Sequence, residues 1–242
     1  MRRLALAATV VTALVLAPAT AAVTGITVFA AASLAQAFPK LDPGPRYSFG
    51  GSDSLALQIR QGAPADVFAS ASPAQTTALY REEFVLRPRV FATNRLTVIV
   101  PRRNPARIQS VFDLRRPGIK LVIGDPQVPI GSYTRIALTR LGIAKAVVKN
   151  VVSQENDVKG VVAKVALRQA DAGIVYATDA RAAADRVATV GIPARAQPNV
   201  RYAIAVVAGN DHRAAAEAFV RRVLSAAGRA ELRRNGFGVP PP

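Results

Sequence analysis

Short apolar runs rich in β-branched residues alternate with single helical runs along nearly the whole chain after residue 22. The runs at residues 25–30, 119–124 and 202–208 are typical of buried strands. Runs such as residues 73–81 and 158–169 lie between them and predict helices. Strands separated by single helices indicate an α/β fold with mainly parallel sheets flanked by helices.

The predicted elements fall into two groups, which indicates two lobes in this 242-residue chain. Because extended runs near residues 94–101 and 199–208 join the groups, we expect one lobe to comprise residues 23–98 plus 201–242 and the other residues 99–200. The remaining predicted strands are residues 46–49, 66–69, 96–100, 146–151 and 173–176, and the remaining predicted helices are residues 54–61, 132–141, 212–226 and 229–234, with another that opens at Ser33. Pro39 predicts that this last helix is short or kinked, because proline removes a backbone hydrogen bond and clashes with the preceding turn.

Residues 1–22 have the pattern of a secretory signal peptide. Arg2 and Arg3 precede an apolar stretch, and Pro18 and a run of small residues follow it. A membrane anchor would need about 20 unbroken apolar residues, so we interpret the segment as a signal cleaved near Ala21 or Ala22. Since no cysteine follows the apolar stretch, we expect an exported, periplasmic protein without a lipid tether.

Residue counts exclude several classes of site. The chain has no cysteine and a single histidine, His212, which excludes disulfides, thiolate metal sites and histidine-rich metal sites. The sequence also lacks a nucleophile-elbow motif and a serine–histidine–carboxylate set, so we expect no catalytic residues and no enzyme. His212 lies at the start of a predicted helix and is interpreted as a solvated surface residue.

The formal charge of +17 raises the question of a nucleic-acid partner. Removing Arg2 and Arg3 with the signal leaves thirty basic and fifteen acidic residues, a formal charge of +15. A polyanion-binding protein clusters basic side chains with stacking aromatic ones, but the arginine pairs here are scattered and aromatic residues make up only 6% of the chain. We therefore expect no nucleic-acid partner and interpret the basic residues as solvated.

Four turns share one layout, in which a strand ends, small or hydroxyl-bearing residues follow and a helix begins. They are residues 30–34, 49–54, 124–133 and 155–160. The first N–H groups of a helix lack intrahelical acceptors and carry the positive end of the helix dipole, and ligands bind beyond the carboxyl ends of strands in open α/β sheets. Converging turns of this kind can bind a small anion without a formal positive charge. Each turn alone is typical of a simple cap, and Asp53, Asp125 and Asp157 are interpreted as cap and turn residues.

These turns also carry a resemblance to a known family. The segments FAAASL, FGGS, QIRQGAPADVFASA, GDP with VPIGSY, NDVKG and GIVYATDA occur in this order and span nearly all of the mature chain. In this series the chain resembles the periplasmic molybdate-binding proteins of molybdate ABC importers. Residues 62–71 and the block around residues 173–179 are the most specific parts of the resemblance.

The resemblance implies a two-lobed periplasmic-binding-protein fold that binds a tetrahedral oxyanion between its lobes. It assigns hydroxyl and N–H donors to Ser33 and Ser52, backbone N–H donors to Ile130 and Val158, and a phenolic hydroxyl donor to Tyr176. Without the resemblance, Tyr176 would be interpreted as a core tyrosine whose hydroxyl has a protein partner.

The resemblance further implies that molybdate or tungstate is bound as cargo, without a cofactor or a direct metal-ligating side chain. It also implies an ABC permease as partner of a monomeric binding protein. Neutral donors suit a fully ionised dianion, whereas phosphate, partly protonated near neutral pH, also requires an acceptor. Sulfate is also a fully ionised dianion, so a binding protein of the same fold for sulfate or another oxyanion is the alternative.

Overall fold

The computed structural model describes residues 25–240, which form two five-stranded sheets with helices packed on them. The proposed signal peptide and its cleavage near Ala21 or Ala22 lie outside the described residues. Within residues 25–240, no helix is long and apolar enough to cross a bilayer.

The structure contains ten strands and nine α-helices within the described residues. The strands are β1 (Thr27–Ala31), β2 (Arg46–Gly50), β3 (Val67–Ser70), β4 (Arg89–Asn94), β5 (Leu96–Pro101), β6 (Leu121–Gly124), β7 (Val151–Glu155), β8 (Ala172–Tyr176), β9 (Val187–Gly191) and β10 (Val200–Val206). The helices are α1 (Phe38–Leu41), α2 (Ser52–Arg60), α3 (Pro73–Arg81), α4 (Pro129–Arg140), α5 (Ala144–Val147), α6 (Val158–Ala166), α7 (Ala177–Ala182), α8 (Arg213–Leu224) and α9 (Ala226–Arg234).

Each sheet has four strands pointing one way and one strand reversed. The first sheet has the order β2-β1-β3-β10-β4, and β10 is antiparallel to both of its neighbours. The second sheet has the order β7-β6-β8-β5-β9, and β5 is antiparallel to both of its neighbours. The predicted α/β fold with two lobes and mainly parallel sheets is therefore confirmed. We refer to the first sheet with helices α1–α3, α8 and α9 as the first lobe, and to the second sheet with helices α4–α7 as the second lobe.

The chain passes between the sheets twice. It leaves the first sheet after Asn94 and enters the second at Leu96, and it returns at Val200. All of Leu96–Pro101 pairs within the second sheet, so β5 begins before the boundary expected between residues 98 and 99. The first crossing is the single residue Arg95, and the second spans residues 192–199, which include a 3-10 turn at Ala194–Ala196. Two chain segments thus join the sheets, which is the connection expected of a hinge between two lobes.

Strand register brings the predicted turns together. Ala31 at the end of β1 pairs with Gly50 at the end of β2, so the turns that follow these strands start at the same sheet edge. In the second lobe, Gly124 at the end of β6 pairs with Glu155 at the end of β7. The inner strands β3 and β8 are buried along their whole length, as expected for strands covered on both faces.

The structure corrects two predicted elements. The helix predicted to open at Ser33 is a three-residue 3-10 turn, Ala32–Leu34, followed by the short helix α1, because Pro39 is tolerated only in the first turn of a helix. The strand predicted at residues 146–151 is wrong: helix α5 and a 3-10 turn occupy most of it, and strand β7 begins at Val151. The sequence of a short apolar run does not distinguish a helix from a strand, and residues 146–150 are helical.

Candidate functional site

All five residues predicted to bind a ligand line one cavity between the two lobes. Ser33 and Ser52 reach it from the first lobe, and Ile130, Val158 and Tyr176 reach it from the second. The cavity volume is about 20 Å³, enough for the centre of a small ion or one or two waters. The structure therefore brings together residues that are up to 143 positions apart in the sequence.

Ser52 is the first residue of helix α2, which follows β2 directly. Gly51 occupies the cap position, and the Ser52 hydroxyl oxygen instead accepts a hydrogen bond from the Ala71 N–H at 3.1 Å. Because that bond uses the oxygen as acceptor, the hydroxyl proton is left to donate to a ligand. Ser52 is 1% exposed, so such a donation takes place away from bulk water.

Ser33 belongs to a buried chain of hydrogen bonds that starts at Asn94. The Asn94 side-chain oxygen accepts from the Arg95 N–H, which fixes the amide so that its nitrogen donates to the Tyr202 hydroxyl at 3.3 Å. The Tyr202 hydroxyl lies 2.9 Å from the Ser33 hydroxyl. Since the Tyr202 oxygen already accepts from Asn94, its proton is directed to Ser33, and the Ser33 proton is free to point into the cavity.

Tyr176 ends strand β8 and is 2% exposed. Its hydroxyl has no hydrogen-bond partner among the described residues, which excludes the interpretation as a core tyrosine with a satisfied hydroxyl. Burial raises the pKa of Tyr176 well above its ordinary value, and the neighbouring Tyr202 raises it further. The group therefore stays protonated and can act as a donor to an anion.

Two helices of the second lobe begin at the opposite wall of the cavity. Pro129 is the first residue of α4 and Ile130 the second, while Val158 is the first residue of α6. Backbone N–H groups in these positions lack intrahelical acceptors and carry the positive end of the dipole. The Asp157 carboxylate accepts hydrogen bonds from the next two N–H groups of α6, those of Lys159 and Gly160. Asp157 is thus the cap that the sequence predicts.

The two lobes contact each other beside the cavity. A Cβ atom at Gly51 would overlap the carbonyl oxygen of Asn156, which belongs to the turn before α6. Only glycine allows the backbones of the first and second lobes to approach this closely. The structure is therefore a closed arrangement of the two lobes.

The cavity attracts an anion through neutral groups. No lysine or arginine is among the described residues that line it, and Asp157 is the one acidic residue there, with its carboxylate engaged by its own helix. Asp125 accepts from the Gln127 N–H as a turn residue. Asp53 lies in the first turn of α2, so it is neither a cap nor a lining residue. An all-donor lining fits a small, fully ionised oxyanion.

Sequence reasoning missed three residues that shape the cavity. Tyr202 and Asn94 position Ser33, and Gly51 permits the approach of the lobes. Tyr202 lies 169 positions from Ser33 along the chain, so no local pattern connects the two. The glycine pair at positions 50 and 51 was the one available signal for a close backbone approach.

The prediction for His212 needs a correction. Its side chain is 36% exposed, and Nδ1 lies 3.1 Å from the buried Asp66 carboxylate, which also accepts from the Thr27 N–H. The residue precedes helix α8 as predicted, but it contacts a buried acid instead of lying free in solvent. Within residues 25–240, no group of three or more histidine, aspartate and glutamate side chains is arranged to hold a metal ion.

Comparisons with known proteins identify the family and several relatives of this chain. The family model described as bacterial extracellular solute-binding protein matches residues 19–238. A molybdate-binding protein of Mycobacterium tuberculosis is 42% identical over 225 residues, which cover 89% of this chain and 85% of the relative. A molybdate-binding protein of Haemophilus influenzae is 34% identical over 233 residues, which cover 88% of this chain and 90% of the relative.

Two solved structures share the fold. The periplasmic molybdate-binding protein of Azotobacter vinelandii matches with a TM-score of 0.79 at 23% identity, covering 89% of this chain and all of that one (100%). The sulfate-binding protein of Mycobacterium tuberculosis matches with a TM-score of 0.78 at 20% identity, and the match covers 88% of this chain and 86% of that one. At these identities the likeness concerns the fold alone, and the fold is shared by proteins named for different oxyanions.

Proposed function

Because this chain belongs to the bacterial extracellular solute-binding proteins, and within them to the molybdate-binding proteins, we propose that it captures molybdate or tungstate between its lobes and delivers it to an ABC permease. The observation that carries this proposal is the buried Tyr176 hydroxyl without a protein partner, in a cavity lined by hydroxyl groups and helix starts. A buried polar group without a partner costs about 1–3 kcal/mol, and an oxyanion in the cavity would remove that cost.

The proposed donors are Ser33, Ser52 and Tyr176 through their hydroxyl groups and Ile130 and Val158 through their N–H groups. Each hydrogen bond to a charged acceptor contributes about 1.5–3 kcal/mol. After the costs of desolvation and of ordering the ligand are subtracted, five such bonds correspond to an affinity on the order of micromolar or tighter. The donors carry no formal charge, so the site prefers an anion that brings no protons of its own.

In the proposed cycle, the oxyanion first binds the donors of one lobe, and the other lobe then closes over it. The two short crossings at Arg95 and at residues 192–199 act as the hinge. The closed form, in which Gly51 meets Asn156, is the form that a membrane permease recognises. The protein acts in the periplasm as a monomeric carrier, performs no catalysis and treats molybdate as cargo.

The test is a thermal-shift series on the protein from residue 23 onward with molybdate, tungstate, sulfate and phosphate in separate samples. Binding to the folded state alone raises the midpoint of unfolding with ligand concentration. We expect molybdate and tungstate to raise it most, sulfate less and phosphate least. A larger shift with sulfate than with either heavier oxyanion would favour the sulfate-binding alternative, and no shift with molybdate or tungstate would contradict the proposal.

A further inference from the structure

A second cavity adjoins the oxyanion cavity and is strongly basic. Its volume is about 220 Å³, against about 20 Å³ for the first, and Ser33 lines both. Four cationic side chains line the second cavity, namely Lys40, Lys159, Arg181 and Arg234, and no acidic residue is among its described lining. We call it the basic cavity.

Only part of this positive charge is neutralised within the protein. Lys159 Nζ lies 2.9 Å from Asp179, and an Arg234 guanidinium nitrogen lies 2.5 Å from Glu231. Lys40 and Arg181 form no ion pair within residues 25–240. The cavity therefore carries excess positive charge beside a site whose proposed donors are uncharged.

The four cations come from both lobes. Lys40 belongs to α1 and Arg234 to α9 of the first lobe, whereas Lys159 belongs to α6 and Arg181 to α7 of the second. Closure of the lobes therefore brings like charges toward each other, which is unfavourable in a partly buried cavity. An anion bound among the four cations attracts all of them, so the electrostatic free energy of closing the lobes becomes favourable.

Polar uncharged side chains complete the wall. Gln36, Asn235 and Thr178 line the cavity. The Asn235 amide donates to Glu231 and accepts from Lys40, so Gln36 and Thr178 are the side chains that offer amide and hydroxyl donors between the cations. The cavity is about ten times larger than the oxyanion cavity, so it suits an anion larger than one tetrahedral group. Exposed cations pair weakly with single charges, which favours an anion that contacts several of them at once.

We propose that the basic cavity is a second anion site, which binds a small, multiply charged anion and links the two lobes. Its ligand stabilises the same closed form as the oxyanion does. By linkage, each of the two anions then raises the affinity for the other. This coupling rests on the proposed function, whereas binding at the basic cavity does not.

Calorimetric titration with inorganic pyrophosphate at constant ionic strength tests the site directly. Pyrophosphate is too large for the oxyanion cavity, and the part of its binding that depends on Arg181 together with Lys40 reports on the basic cavity. We expect saturable binding of one pyrophosphate per chain, and binding about tenfold weaker in the double variant Lys40→Gln with Arg181→Gln. The matched control Lys149→Gln with Arg195→Gln removes two exposed charges elsewhere and should bind pyrophosphate as the parent does.

A second arm separates the two sites. The variant Ser52→Ala with Tyr176→Phe, altered only in the oxyanion cavity, should keep its affinity for pyrophosphate. In the parent, saturating pyrophosphate should tighten molybdate binding by a few-fold, and this gain should vanish in Lys40→Gln with Arg181→Gln. Absence of saturable pyrophosphate binding, equal binding by both charge variants, or loss of binding only in Ser52→Ala with Tyr176→Phe would each overturn the proposal. If molybdate does not bind at all while pyrophosphate does, the proposed function fails and the second site stands.

Discussion

The rings of Tyr176 and Tyr202 meet edge to face with their centroids 5.9 Å apart, yet only the Tyr202 hydroxyl has hydrogen-bond partners. Both side chains are almost fully buried, and burial raises the pKa of each above its ordinary value. Two tyrosines in one environment thus differ in a single respect. The Tyr176 hydroxyl can donate to a ligand in the cavity, whereas the Tyr202 hydroxyl is already hydrogen-bonded to Ser33 and Asn94.

Tyr176→Phe should weaken molybdate binding without destabilising the ligand-free protein. The substitution removes a buried hydroxyl that has no protein partner, so the free energy of unfolding should stay unchanged or rise by about 1 kcal/mol. Molybdate affinity should fall about tenfold or more, because one bond to a charged acceptor is lost. Urea denaturation and calorimetric titration measure the two quantities, and a clear loss of stability together with unchanged affinity would contradict the assignment.

Tyr202→Phe, in contrast, should lower the stability of the protein as well as its affinity for molybdate. It removes the hydroxyl that joins Asn94 to Ser33, so Ser33 loses this partner, while the Asn94 amide loses one of its two bonds and keeps the one to Thr178. We expect the free energy of unfolding to fall by about 1–3 kcal/mol, with a loss of molybdate affinity because the Ser33 proton is no longer directed to the cavity. A variant as stable as the parent would show that the chain from Asn94 to Ser33 does not operate as described.

Gly51→Ala should impair closure of the lobes. The added methyl group would overlap the Asn156 carbonyl oxygen only when the lobes are closed, and overpacking of this kind costs about 1–3 kcal/mol. Its other near neighbour, the Asp53 carboxylate of the same lobe, is a side chain that can rotate away. Molybdate affinity should therefore fall about tenfold or more, with little change in the thermal stability of the ligand-free protein. Gly191→Ala is the matched control, since a Cβ at Gly191 meets nothing within 4 Å. Equal affinities for the two variants would argue against closure at this contact.

Val158→Pro tests a backbone donor directly. Val158 is the first residue of α6 and follows Asp157 in extended conformation, which is where a proline fits a helix. The substitution should remove the N–H group and reduce molybdate affinity about tenfold. Val158→Ala keeps the N–H group and should bind within about threefold of the parent. Circular dichroism checks that α6 persists, and a greater loss with alanine than with proline would refute a backbone role.

Glu155 gives the protein a predictable dependence on acid pH. Burial alone would raise the pKa of Glu155, but hydrogen bonds from Lys164 and Ser153 outweigh it and hold the pKa below its ordinary value of 4.5. A carboxyl group with a lowered pKa in the folded state stabilises it above the unfolded pKa, and this contribution is lost as the pH falls below about 4.5.

Urea denaturation of the parent and of Glu155→Gln should therefore show a difference in the free energy of unfolding that is largest near neutral pH. The difference should shrink as the pH falls toward about 3. A difference that is constant or that widens in acid would contradict the role of the Glu155 ion pair. The carbonyl of Glu155 accepts from the Asp125 N–H in both proteins, so the turn before α6 should stay intact.

The parts of the fold that could be predicted from the sequence are those with strong local signals. The helix at residues 73–81 begins with Pro73 and has the predicted bounds, and the buried strands β3 and β8 are continuous apolar runs. Strands β4 and β9 and helix α7 escaped prediction. The burial of β9 alternates, but its sequence, VATVG, does not alternate apolar and polar residues, and α7 has only six residues, so neither carries a distinct period in the sequence.

The residues of the candidate site could likewise be predicted only where a local sequence motif marks them. The five lining residues could be named because each lies in a short motif at the end of a strand, and the resemblance to a family ordered those motifs. Tyr202 and Asn94 could not be found, because their role depends on contacts across 169 and 108 positions of the chain. The basic cavity escaped for the same reason: its four cations are scattered in the sequence and meet only when the lobes pack together.

We propose that the cavity between the lobes binds a molybdate-type oxyanion through neutral donors. The decisive measurement is calorimetric titration of molybdate into the parent, into Ser52→Ala with Tyr176→Phe, and into the control Ser54→Ala with Tyr80→Phe. Neither Ser54 nor Tyr80 lines the cavity. We predict one site per chain in the parent and the control, and an affinity at least about 100-fold lower in Ser52→Ala with Tyr176→Phe. Equal affinities in all three proteins, or no heat with the parent, would contradict the account.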